Sequence, residues 1–147
     1  MRDAGGPGII GFEFAGSEER AAEILADWGE EGQDAARASL WLDYAYILAY
    51  AGFLTLAAIA TRDLAASRGW RRMVVAGIAA IPMAAAAGAF DAVEDAGLLL
   101  ALDGRGGDLA PLLATVCAAL KFALLGLVIA YLLAGLLLRA RERRPAI

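Results

Sequence analysis

Five ionisable residues stand in apolar surroundings: Asp43, Asp91, Glu94, Asp95 and Lys121. Asp43 precedes Ala60 by 17 residues, Asp91 follows Met73 by 18, and Lys121 precedes Leu138 by 17. At a helical rise of about 1.5 Å per residue, each lies ~26 Å from one common boundary, near the far edge of a ~30 Å hydrocarbon core. Three separate stretches thus bring ionisable groups to one depth. Glu94 and Asp95 follow Asp91 by three and four positions and share its helical face, while Asp43, Tyr46 and Tyr50 form a stripe of their own.

An unpaired charge within lipid costs ~2.5–3.5 kcal/mol on insertion scales, so such groups face the interior of a bundle and pair. The chain has a single lysine, which can offset one carboxylate of the four. Like charges in a low-dielectric setting then favour a protonated carboxyl in such a group. The chemistry open to these residues is that of a polar binding site, of a relay for protons or cations, or of a general acid or base assisted by Tyr46 or Tyr50. A plainer reading takes the same residues as the water boundary, with Asp91, Glu94 and Asp95 as a solvated helix end. The apolar residues 97–102 and 109–120 lie beyond that level and would then need another cover.

Other chemistries are excluded by residue type. Without histidine there is no His-ligated haem, no His-based zinc catalysis and no Ser-His or Cys-His nucleophile. Cys117 is alone, so no internal disulfide forms, and it sits in an apolar run where a thiol packs. Asp91-x-x-Glu94-Asp95 looks like half of the carboxylate sets that hold magnesium on prenyl diphosphate enzymes, but the second set and the surrounding arginines are missing. No metal and no cofactor are assigned from the sequence. Gly104, Gly106 and Gly107 lack the Lys-Ser/Thr of a phosphate loop. A net charge of −4, without aromatics interleaved in a basic stripe, argues against nucleic acid.

The elements that must position these groups are membrane spans. Of the 147 residues 61% are hydrophobic and 20% charged, and three apolar stretches, 40–60, 73–102 and 109–138, are long enough to cross a bilayer. Pro82 is expected to kink the second span. Residues 103–108 make a glycine-rich hairpin in which Asp108 is expected to cap the third span, with Pro111 tolerated in its first turn. Small residues at 84–88, and Gly126, Ala130 and Ala134, are spaced for close helix approach within one protomer. Trp41, Tyr44 and Tyr46 suit an interfacial belt.

Residues 1–39 carry nine carboxylates against three arginines and do not read as a signal peptide. Ser17 followed by Glu18 and Glu19 marks a helix start. Ala21, Ile24, Leu25 and Trp28 share a face and Gly29 ends the run, predicting an amphipathic helix of about three turns. A second helical run from near Asp34 is expected to enter the first span. The segment Gly11-Phe-Glu-Phe-Ala-Gly-Ser-Glu-Glu-Arg-Ala21, with Glu23-Ile24-Leu25, Trp28-Gly29, Leu42-Asp43, Asp91/Glu94 and Lys121-Phe122, resembles a group of small bacterial multi-pass membrane proteins with no assigned activity. That resemblance implies the same fold and topology, with the N-terminal segment part of the fold. Asp95 stands where the group would carry Asn.

The sequence therefore predicts an all-α integral membrane protein: an outward-facing amphipathic helical cap (1–39), a three-span bundle (40–138) and a basic cytoplasmic tail (139–147). The expected partners are the lipid bilayer and either further copies of the chain or a larger membrane complex. The expected function is a non-enzymatic membrane module, a complex subunit or a small binding or transport protein, whose polar cluster is Asp43, Tyr46, Tyr50, Asp91, Glu94, Asp95 and Lys121. A proton- or cation-coupled carrier and a membrane enzyme acting on a lipid or isoprenoid are the alternatives. Arg62, Arg68, Arg71 and Arg72 in one connection, and Arg139, Arg141, Arg143 and Arg144 at the end, place both in the cytoplasm beneath the inner membrane. In a Cys117→Ser background, a cysteine at Gly106 should then label from outside intact cells. One at Ser67 should label only after permeabilisation, and the reverse pattern overturns the orientation.

Overall fold

The computed structural model describes residues 8–142. Its elements are helices: α1 (Ile9–Glu13), α2 (Glu18–Ser67), α3 (Arg71–Leu102) and α4 (Leu109–Glu142). Each of α2, α3 and α4 is long and apolar enough to cross a membrane. The described residues fall into two compact units, 8–48 with 89–120 and 49–88 with 121–142. Residues 143–147 of the expected basic tail lie outside the described residues.

The three long helices have helical periodicity in what they bury. Along α3 the buried positions are Gly77, Ala80, Ala84, Ala87, Gly88, Asp91, Glu94, Asp95, Gly97, Leu98, Ala101 and Leu102, a stripe of steps of three and four. Leu42, Leu48, Phe53 and Leu56 of α2 are exposed, as apolar side chains of a span are when lipid is their solvent.

In the first unit Phe12, Ala21, Ile24, Ala36, Leu40, Leu98 and Ala114 belong to one core, with Leu25 and Trp28 packed against it. The Phe12 and Trp28 rings lie 5.2 Å apart, tilted by 58°. The five-residue α1 that brings Phe12 there was not foreseen, being too short to show a period. Thr115 donates its hydroxyl proton to the Glu13 carbonyl at 2.9 Å, satisfying the end of α1. Ser17 caps α2 as its type predicts, its Oγ accepting the Arg20 N–H at 3.3 Å. Asp108 does something else. Its carboxylate accepts the Glu18 N–H at 2.8 Å, so it caps the start of α2 across a separation of 90 residues rather than α4. Gly29 interrupts α2 with φ 63° and ψ −175°. Across that break the Gln33 side-chain amide donates to the Leu25 carbonyl at 2.8 Å. At Gly97 an added Cβ would stand 3.0 Å from the Ala110 carbonyl oxygen, so α3 and α4 meet almost backbone to backbone.

The second unit packs Ala58, Ala80 and Tyr131. Helix α2 runs on to Ser67, beyond the span end read at Ala60, because residues 61–67 contain no Gly or Pro to stop it. The stop is Gly69 (φ +71°). Its N–H donates to Ala66 O at 3.2 Å and that of Trp70 to Ala65 O at 2.9 Å, closing the helix end as a left-handed glycine does. Pro82 sits inside α3. The small-residue stripe of α4 is not where the helices close up: Gly126 has nothing within 4 Å of an added Cβ, whereas at Gly135 that Cβ would stand 2.6 Å from Thr61 Cγ2.

These two glycines make a matched test on one helix. Gly135→Ala should destabilise the protein by ~1–3 kcal/mol through overpacking against a stiff β-branched neighbour. Gly126→Ala should be neutral or stabilising by up to ~1 kcal/mol. Thermal melts in mild detergent give both values.

Candidate functional site

Asp43, Asp91 and Asp95 converge in the first unit. One carboxylate oxygen from each lies within 4.8 Å of the others, with Asp91 and Asp95 buried and Asp43 half-buried. The local cause is helical spacing. Asp91 and Asp95 are four apart on the buried stripe of α3. On α2 the buried positions Ala36, Leu40 and Ile47 define a stripe on which Asp43 and Tyr44 fall, seven and eight residues after Ala36. Two helices therefore supply three carboxylates to one place. Glu94 is fully buried on the same face of α3.

The arginines of this unit are committed elsewhere or exposed. Arg20 pairs with Glu23 at 2.7 Å and Arg37 with Asp103 at 2.5 Å, both pairs partly solvent-exposed, while Arg105 is exposed. The chain's one lysine can offset at most a single carboxylate of the three. Lys121 belongs to the second unit, where it is buried with its ammonium 4.8 Å from the Phe122 ring centroid. A cation held over an aromatic face is attracted by the ring quadrupole, by ~2 kcal/mol or more when desolvated.

The tyrosines separate differently from the stripe drawn on the sequence. Tyr46 is 63% exposed, and Tyr50 is half-buried in the second unit. Tyr44, read as an interfacial anchor, points its hydroxyl inward and donates to the Ala92 carbonyl at 3.2 Å, between the two α3 aspartates in sequence. Its ring lies 5.8 Å from that of the exposed Trp41. The spacing Leu40–Tyr44–Ile47 carried the signal, since it puts Tyr44 on the buried stripe and leaves Tyr46 off it.

Oxygen ligands set this far apart suit a hard cation. An ion taking carboxylate oxygens at ~2.3–2.6 Å separates ligands on opposite sides by roughly twice that, which spans the observed spacing. The sequence assigned no metal because Asp91-x-x-Glu94-Asp95 has no second acidic set; the third carboxylate of the group is the isolated Asp43, from another helix. Two cavities of the first unit, of about 180 and 280 Å³, are lined around Leu25, Leu102 and Pro111 and around Ile9, Trp28 and Ala36. Neither is lined by the three aspartates. No family model matches the chain, and neither does any curated protein or solved structure.

Tyr44→Phe should cost ~0.5–1.5 kcal/mol of stability by removing a buried hydrogen bond. Tyr46→Phe should stay within about 0.5 kcal/mol, as exposed substitutions do. Equal melting temperatures for the two variants would show that the Tyr44 hydroxyl holds nothing.

Proposed function

We propose that this chain is a small, non-enzymatic membrane module, a complex subunit or a binding or transport protein, that takes up a small cation at Asp43, Asp91 and Asp95. The observation that supports this reading is the convergence of three carboxylate oxygens within 4.8 Å, from two helices, with two of the aspartates buried. Three negative charges at that spacing in an apolar setting repel strongly, and a bound cation converts the repulsion into coordination. All-oxygen ligation selects hard ions such as Ca²⁺, Mg²⁺, Mn²⁺ or the alkali cations over soft ones.

In this proposal the protein lies in the inner membrane with its N-terminus outside and its arginine-rich end in the cytoplasm. The segment carrying Ala21, Ile24, Leu25 and Trp28 acts as an amphipathic outer cap, and the carboxylates sit toward the outer side. Membrane-embedded ionisable groups mark ion pathways more often than they serve packing. A carrier that exchanges the cation for a proton at the same carboxylates is the second reading, favoured by the burial of Glu94 on the same face. The lipid- or isoprenoid-directed enzyme would need an apolar pocket opening beside the carboxylates.

The test is thermal melting in mild detergent at constant ionic strength against Na⁺, K⁺, Mg²⁺, Mn²⁺ and Ca²⁺. At a hundredfold excess over its dissociation constant the bound ion should stabilise the wild type by ~2.7 kcal/mol. Asp91→Asn with Asp95→Asn should lose that response. If no ion shifts the wild type more than the double variant, the binding reading fails.

A further inference from the structure

The second unit ends in a group of arginines that the cation site does not use. Helix α3 begins with Arg71 and Arg72, and α4 closes with Arg139 and Arg141. The indole N–H of Trp70 donates to Glu142 Oε1 at 3.1 Å, and Arg68 forms an ion pair with the other oxygen of the same carboxylate. One carboxylate thereby ties the α2–α3 turn to the end of α4. Arg71 follows Trp70 directly, Arg141 precedes Glu142 directly, and Arg139 shares the face of Glu142 three residues before it. The tie gathers all four onto one end of the unit.

Their charge is not answered locally. Glu142 is already engaged by Arg68 and Trp70, and Asp63 is taken by Arg62 at 2.7 Å. Arg71, Arg72, Arg139 and Arg141 are exposed and form no ion pair among the described residues. Two of the four also stand against the backbone field. The first turn of α3 holds no acidic residue, so Arg71 and Arg72 sit at the positive end of its dipole. That arrangement costs free energy unless an anion is present, and an anion there is attracted by guanidinium and dipole together.

We propose that this end is a docking surface for anionic phospholipid, with the headgroup phosphodiester held by Arg71, Arg72, Arg139 and Arg141. The guanidinium fork matches phosphate oxygens two at a time. The helices carrying it are those long and apolar enough to span, which puts the patch where headgroups lie. The inference rests on the membrane reading and is independent of the aspartate site.

The experiment uses the full chain in mild detergent, supplied with phosphatidylglycerol or phosphatidylcholine of matched acyl chains. Retained lipid is measured by mass spectrometry after gel filtration. An arginine near an anionic surface contributes about a fivefold preference, so phosphatidylglycerol should be retained at least ~10-fold over phosphatidylcholine at 50 mM salt, and the preference should collapse at 0.5 M salt. Arg71→Gln with Arg72→Gln, and separately Arg139→Gln with Arg141→Gln, should each lower it several-fold. Arg20→Gln, whose arginine pairs with Glu23 in the other unit, should leave it unchanged. Equal retention of the two lipids by the wild type, or an effect of Arg20→Gln equal to that of the pairs, overturns the proposal. Displacement of the lipid by millimolar inorganic phosphate also overturns it, by showing a site for free phosphate. The wild-type lipid and salt series decides the matter even if a variant fails to fold. Flotation with vesicles separates the two failures: a chain that floats with neither lipid refutes the membrane reading, and one that floats equally with both refutes only the patch.

Discussion

Carboxylates in an apolar helix face impose the constraint to which the first unit answers. Asp91, Glu94 and Asp95 occupy consecutive positions of a stripe that otherwise carries Ala, Gly and Leu. Such groups are expensive to remove from water unless charge and hydrogen bonds are returned to them. The neighbouring packing is apolar: Leu98 follows on the same face, and Phe12, Ile24 and Leu40 belong to its core. Close contact at Gly97 is the mechanical counterpart, since any side chain there would push α4 away from the stripe. Polar satisfaction at the helix ends follows the same economy. Asp108, Thr115 and Gln33 each serve a backbone group of another segment or turn, and together they fix α1 and the start of α2.

The second unit is built on the opposite principle. Its core is small, made by Ala58, Ala80 and Tyr131 with close approaches at Gly77 and Gly135. Where hydrophobic burial drives little, as between helices in lipid, small residues that let backbones approach supply dispersion contacts instead. Its ion pairs, Arg62 with Asp63 and Arg68 with Glu142, are partly solvent-exposed. Such exposed pairs contribute at most ~1 kcal/mol each, so their value is in holding arginines in place.

The three helices long and apolar enough to span were legible because length and apolar content are sufficient signals for them, and they contain the three stretches read from composition. The buried standing of Asp91, Glu94, Asp95 and Lys121 was legible from spacing and from the cost of stranding charge. What was hidden is what depends on distant partners. Asp108 precedes α4 and has the right type to cap it, yet the donor it meets is Glu18, and nothing local distinguishes the two. Asp43 and the α3 aspartates come together only once α2 and α3 are packed. The inward turn of Tyr44 was readable in principle, but two neighbouring tyrosines and a tryptophan gave an interfacial pattern that competed with the stripe. Residues 61–67 illustrate a third kind of miss: charge suggested a connection, while the backbone had no reason to leave the helix before Gly69.

Lysine at position 121 is consistent with the same physics. Every other basic residue of the chain is arginine, and none of those among the described residues is buried. Arginine stays charged in any protein environment, whereas lysine can give up its proton when burial is severe. With histidine absent, the side chains within the apolar stretches that can exchange a proton most readily are these carboxylates and this amine.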